Sequence, residues 1–117
     1  MQNFNGYLGN FLSGVTTTIA NTETESAVIK LNGLVPVGII FGAFTGTTLT
    51  FLACDTADGT FVALKSTTSG AALSYTVAQN TYAAIDPTPF QGVGYLKLKS
   101  GSAEGATRTL KLSLKGL

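Results

Sequence analysis

Histidine and tryptophan are absent from this 117-residue sequence, and cysteine occurs once. Histidine is the commonest general base and the commonest metal ligand, so its absence excludes most hydrolytic mechanisms. We therefore expect no enzyme activity, no catalytic residue, no cofactor and no bound metal. The lone Cys54 has no partner for an internal disulfide, which favours assembly in a reducing cytoplasm.

Charge is also scarce, because charged residues make up 11% of the chain and leave a net charge of +1. Ordinary soluble domains contain about 25% charged residues. With neither a basic patch nor an acidic tail, nucleic acid is not an expected partner. A monomer so poor in charge would expose large neutral patches, so we expect part of the surface to contact other subunits.

Long apolar runs are missing too. The longest, residues 34–44, is interrupted by Pro36, Gly38 and Gly42 and is too short to span a bilayer. Residues 1–7 contain no Lys or Arg and lead into no apolar run, so neither an export signal nor membrane association is predicted.

Eighteen threonines, eight serines and fourteen glycines are present instead, a composition that favours sheet and tight turns over helix. Short apolar or alternating runs recur every eight to twelve residues. The sequence predicts an all-β fold: an antiparallel β-sandwich or jelly roll of about eight or nine short strands over residues 15–117. Its clearest strands are residues 95–99 and 109–115, in which leucines alternate with outward lysines that would also protect a sheet edge.

Other patterns predict the connections. Asn32-Gly33 and the stretch 78–80 are each expected to close a hairpin, the latter between strands at 72–77 and 81–85. Residues 34–44 are apolar on both faces, which is typical of a central strand buried on two sides or of an inter-subunit surface. Asp86-Pro87-Thr88-Pro89 predicts a corner in which Phe90 is an anchor.

The first 14 residues predict an extended N-terminal arm. Large apolar side chains occur there at helical spacing, but Gly6, Gly9 and Gly14 disfavour a helix. These apolar groups need a surface to cover, so they are the candidate interface residues: Phe4, Tyr7, Leu8, Phe11 and Leu12.

Few residues offer chemistry. Asp55 and Asp58 fit a hairpin turn better than a calcium loop, and Glu23 and Glu25 fit a solvated loop. Cys54 is expected to be a small buried hydrophobe, because no base adjoins it. The tyrosines Tyr7, Tyr75, Tyr82 and Tyr95 leave open a sugar-binding surface.

Three segments carry a family resemblance: 34–40 with 45–51, Asp58-Gly59 with 60–64, and 82–101 with Arg108-Thr109-Leu110. Together they resemble small β-sandwich structural proteins of tailed phages and prophages. The resemblance implies a virion component, a head decoration (cement) protein or the shell-binding part of a head fibre. Its partner would be the major capsid protein, its location the capsid surface after assembly in the host cytoplasm, and its oligomer a trimer or next a dimer.

Two alternatives stay open. The strand pattern around Asp58-Gly59 and residues 95–98 also resembles the galactose-binding-like jelly roll, which implies a carbohydrate-binding module on a tail or fibre. Such modules usually carry arginines on their tip loops, whereas this chain has only Arg108. A tail-tube or tail-terminator subunit is the other alternative, and it would form rings in solution.

Overall fold

The computed structural model describes residues 12–116. Within them nine strands and one short 3-10 helix form two antiparallel sheets that pack face to face, which confirms the predicted β-sandwich. The strands are β1 (Leu12–Ile19), β2 (Ile29–Lys30), β3 (Val35–Ile40), β4 (Thr48–Cys54), β5 (Val62–Ala63), β6 (Ser74–Thr76), β7 (Tyr82–Ala84), β8 (Tyr95–Ser100) and β9 (Arg108–Lys115). No helix among residues 12–116 is long and apolar enough to cross a membrane.

Sheet A contains four strands in the order β1-β9-β3-β7. Sheet B has the order β2-β8-β4-β5, and β6 also pairs with β4, alongside β5. The strand β1 begins at Leu12, which pairs with Lys115. Residues 12–14, predicted as part of the arm, therefore belong to a strand.

The core lies between the sheets and follows the alternation of the strands. In β9 the buried side chains of Leu110, Leu112 and Leu114 alternate with side chains that face outward. In β8 the fully buried Leu96 and Leu98 alternate in the same way. Because successive side chains in a strand point to opposite faces of the sheet, one face of each of these strands lies in the core, as the sequence predicts.

The predicted corner and central strand are also found. Phe90 lies in the 3-10 helix Thr88–Phe90, is fully buried and makes an edge-to-face contact with Phe51, with ring centroids 5.0 Å apart. The central strand predicted at residues 34–44 is the shorter β3, which lies between β9 and β7 and is buried over most of its length up to the exposed Ile40.

Both predicted hairpins are wrong. Asn32 and Gly33 do adopt positive φ angles of 54° and 80°, but the strands they join belong to different sheets, because β2 pairs with β8 and β3 with β9. The strands on either side of residues 78–80 do not pair with each other either, because β6 pairs with β4 and β7 pairs with β3. The predicted edge-protecting role of the lysines in β8 and β9 is wrong as well, because both strands are internal to their sheets.

Candidate interaction site

Of the five predicted interface residues, Phe4, Tyr7, Leu8 and Phe11 lie outside the described residues. Leu12 is the first residue of β1, at one end of sheet A. The described part of the chain offers three features of its own: the outer face of sheet A, a cleft at one end of the sandwich, and a buried carboxylate at the other end.

The outer face of sheet A consists mainly of short, neutral side chains. Register places the outward residues of neighbouring strands side by side, with Thr16 beside Lys111 and Thr18 beside Thr109. The residues on this face are Gly14, Thr16, Thr18, Thr109, Lys111, Ser113, Lys115, Gly38, Ile40, Tyr82 and Ala84. It carries two lysines and no acid within residues 12–116, so it is weakly cationic.

One end of this face is organised by Tyr82. Its hydroxyl donates to Ser113 Oγ at 2.7 Å, and its ring crosses Gly38, where a Cβ would collide with the ring. Glycine at position 38 is thus required by the close approach of the ring. Tyr82 stays 57% exposed and lies beside Ile40, which is 37% exposed, so an amphipathic patch marks this edge of the face.

The outer face of sheet B carries three lysines and one acid that pairs with them, Glu25. Lys30, Lys97 and Lys99 point outward from β2 and β8. The Nζ of Lys97 lies 3.4 Å from Glu25 Oε1 and 4.9 Å from the centroid of the Phe61 ring. Glu23 lies in an exposed loop, as predicted, whereas Glu25 is exposed but forms a β-bridge with Lys99 beside β8, so the loop prediction is wrong for it.

A cleft of about 500 Å³ opens at the end of the sandwich where β4 and β7 finish and β8 begins. Apolar side chains form most of its wall, and Asp55, Thr60 and Gln91 add polar groups; the apolar members are Ala53, Val62, Leu64, Pro89 and Val93. Val62 is 61% exposed and lies on β5, at the edge of sheet B.

Cys54 also lines this cleft. It is half-buried, so the prediction that it is a buried small hydrophobe is wrong. The reason is its position at the last residue of β4, where the sheet ends and Asp55 to Gly59 form a turn. Asp55 and Asp58 lie in that turn, as predicted.

The opposite end of the sandwich is held by Glu104, whose side chain is fully buried. Its carboxylate accepts hydrogen bonds from the backbone N–H groups of Thr45 (2.8 Å) and Gly46 (2.9 Å) and from the hydroxyl of Ser100 (2.7 Å). Arg108 Nε donates at 3.0 Å from the next strand. The backbone of Glu104 bonds with Thr22 and Glu23 as well.

Burial raises the pKa of Glu104, but hydrogen bonds from Thr45, Ser100, Gly46 and Arg108 outweigh it and hold that pKa below its ordinary value of 4.5. The carboxylate is therefore ionised at neutral pH and joins the loop before β4 to the end of β8 and the start of β9, while the backbone of Glu104 bonds to the loop before β2. Such an arrangement is structural, because every oxygen is occupied by a protein donor. No prediction pointed to this residue, because a spacing of four residues indicates an ion pair only on a helix, whereas Glu104 lies in a loop and Arg108 begins a strand.

The tyrosines considered for sugar binding do not share a surface. Tyr75 contacts Phe51 edge to face, and its hydroxyl accepts from Asp86 N. Tyr82 lies on the outer face of sheet A and Tyr95 on that of sheet B, while Tyr7 is outside the described residues. Within residues 12–116, no three His, Cys, Asp or Glu side chains come together as metal ligands.

Comparisons with known proteins show the fold. No family model matches the chain, and no curated protein matches it. Among solved structures, an SPBc2 prophage-derived protein, YomS, aligns with a TM-score of 0.57 and 18% identity over 96% of this chain and all of that one. Identity this low indicates a shared fold rather than a shared function.

Two further structures align more weakly. A mitogen from Yersinia pseudotuberculosis gives a TM-score of 0.36 at 14% identity, over 92% of this chain and 87% of that one. A pilus protein of Bacillus endospore appendages gives 0.30 at 16%, over 98% and 97%.

Proposed function

We propose that this protein is a structural component of a tailed-phage particle, a decoration protein bound to the outside of the capsid shell. The observation that carries the proposal is the outer face of sheet A, where the side chains within residues 12–116 are mainly short and neutral and include two lysines and no acid. A weakly charged surface of short side chains is suited to contact with a repeating protein lattice. The fold likeness to a prophage-derived protein supports the same assignment.

The area of the outer face of sheet A limits how much of an interface with the capsid shell it can supply. Three strand intervals of about 4.8 Å and eight residues at about 3.3 Å give an area of about 400 Å². A stable interface buries about 800 Å² on each partner. The apolar residues predicted as the arm interface supply the remainder, since each aromatic side chain buries about 150–250 Å². Attachment to the shell thus uses both the face and the arm.

The experiment is to purify particles from the locus that encodes this chain and to locate the protein by cryo-EM. Density that covers the capsid lattice supports the proposal. Density only at the tail or fibre tips contradicts it and favours one of the two alternatives, host recognition or a tail subunit.

Variants then test the surface. Thr18→Arg places a large charge on the outer face of sheet A, while Thr67→Arg makes the same change at an exposed loop residue away from it. We expect Thr18→Arg to reduce occupancy on particles and Thr67→Arg to leave it normal. Equal occupancy of both variants refutes the use of this face.

A further inference from the structure

The strands of sheet A carry positive charge that no acid of the same sheet neutralises. The sequences of β1, β3, β7 and β9 contain no Asp or Glu, whereas Lys111 and Lys115 lie on the outer side of β9. Neither lysine forms a salt bridge within residues 12–116, while Lys97 on sheet B pairs with Glu25. Charge complementarity therefore favours an acidic partner for sheet A.

The Lys111 side chain is directed across the neighbouring strand by a glycine. Gly14 of β1 pairs with Ser113, which lies two residues along β9 from Lys111. A Cβ at Gly14 would be 2.8 Å from Lys111 Cε and 3.7 Å from Lys111 Nζ. The lysine thus occupies the space that a larger residue would take, and its ammonium group stays close to the sheet.

Ser113 has a second neighbour of the same kind on its other side. Gly38 of β3 also pairs with Ser113, and the Tyr82 ring crosses this glycine. The Tyr82 hydroxyl donates to Ser113 Oγ at 2.7 Å. A serine hydroxyl that accepts one hydrogen bond keeps its own proton to donate, and no acceptor for that proton lies within residues 12–116.

These groups offer donors to a partner and no charged acceptor. A lysine ammonium has three N–H donors and no acceptor, whereas an ionised carboxylate only accepts. Hydrogen bonds between ionised groups are short, about 2.7–2.9 Å, and about twice as strong as neutral ones. A neutral amide or hydroxyl could bond to Ser113 but would leave the charge of Lys111 unpaired. A carboxylate complements both groups.

We propose that the surface bound by sheet A is acidic and places a carboxylate against Lys111 and Ser113, with the Tyr82 ring as the apolar contact beside it. This inference rests on the proposed capsid function and names the chemistry of its partner, an exposed Asp or Glu of the shell protein. The contact is local. An arginine at position 18, about 13 Å along β1 from Gly14, remains disruptive through its size.

The experiment measures binding of the purified protein to particles from which it has been removed, at low and at high ionic strength. Lys111→Glu reverses one charge on sheet A, and Lys99→Glu makes the same change at an exposed lysine on the outer face of sheet B. We expect Lys111→Glu to raise Kd at least about tenfold and Lys99→Glu to keep the wild-type value. The wild-type Kd should rise with salt more steeply than that of Lys111→Glu.

The outcomes separate this inference from the function on which it rests. Absence of wild-type binding overturns the capsid function and this inference with it. Wild-type binding that both variants weaken equally, or that neither variant changes, overturns the inference alone. Urea unfolding of each variant verifies that the sandwich is intact.

Cross-linking identifies the contact directly. A carbodiimide joins a lysine amine to a carboxylate that touches it, and mass spectrometry of treated particles locates the new amide bond. A link from Lys111 or Lys115 to an Asp or Glu of the shell protein supports the proposal. Links to the shell from the lysines of sheet B alone, or none from sheet A, overturn it.

Discussion

Removal of the Glu104 carboxylate tests whether one buried acid holds an end of the sandwich. Glu104→Ala leaves two backbone N–H groups, the Ser100 hydroxyl and Arg108 without their acceptor. Removing one partner of a buried ion pair costs about 3–5 kcal/mol. Since domains of this size have about 5–15 kcal/mol of stability, the variant should lose a large fraction of it.

The assay is urea unfolding at pH 7, with Glu23→Ala as the control. Glu23 is exposed and lies in a loop at the same end, so its replacement should change the free energy of unfolding by less than about 0.5 kcal/mol. Glu104→Gln keeps one oxygen acceptor but loses the charge, so its free energy of unfolding should lie between those of Glu104→Ala and wild type.

The pH dependence gives a second readout. Because the pKa of Glu104 is lower in the folded protein than its ordinary value of 4.5, the unfolded chain binds the proton more readily. The stabilisation is therefore complete above about pH 4.5 and is lost as the pH falls through the folded value. The difference in free energy of unfolding between wild type and Glu104→Gln should therefore become smaller as the pH falls below about 4.5. A loss below about 1 kcal/mol for Glu104→Ala, or a difference that does not change with pH, would refute the reasoning.

Three further predictions concern stability and are checked by thermal or urea unfolding. Phe90→Ala removes a fully buried ring and should cost about 3–5 kcal/mol; a cost below 1 kcal/mol would contradict the anchor assignment. Gly33→Ala, at a φ of 80°, should cost about 1 kcal/mol, whereas Gly42→Ala, with open space around its Cβ position, should be nearly neutral. Gly38→Ala should displace the Tyr82 ring and break its bond to Ser113, so the change should be milder in a Tyr82→Ala background; equal costs in both backgrounds would count against this contact.

The alternation of buried and exposed side chains along single strands was predictable from the sequence. The leucines of β8 and β9 reach the core because side chains in a strand alternate between its two faces, a property of local geometry. The turn at Asn32-Gly33 was found for the same reason, since positive φ angles are a local requirement.

Pairing between strands was not predictable in this way. The hairpin rule assumes that strands joined by a tight turn pair with each other, yet here the turn passes from sheet B to sheet A. Glu104 escaped notice because its backbone donors Thr45 and Gly46 lie 59 and 58 residues away in the chain. Sites assembled over such distances leave no local pattern.

The position of β9 has a consequence for synthesis of the protein. This strand contains the last residues of the sandwich, yet it lies between β1 and β3 and pairs with both. Sheet A consequently lacks an inner strand until residues 108–115 have left the ribosome, and this long-range pairing makes closure of the sheet slow. A ribosome stalled before β9 emerges would hold an open sandwich, with β1 unpaired and β3 paired only with β7. The interval before β9 closes the sheet is when these strands are most exposed to pairing with another chain.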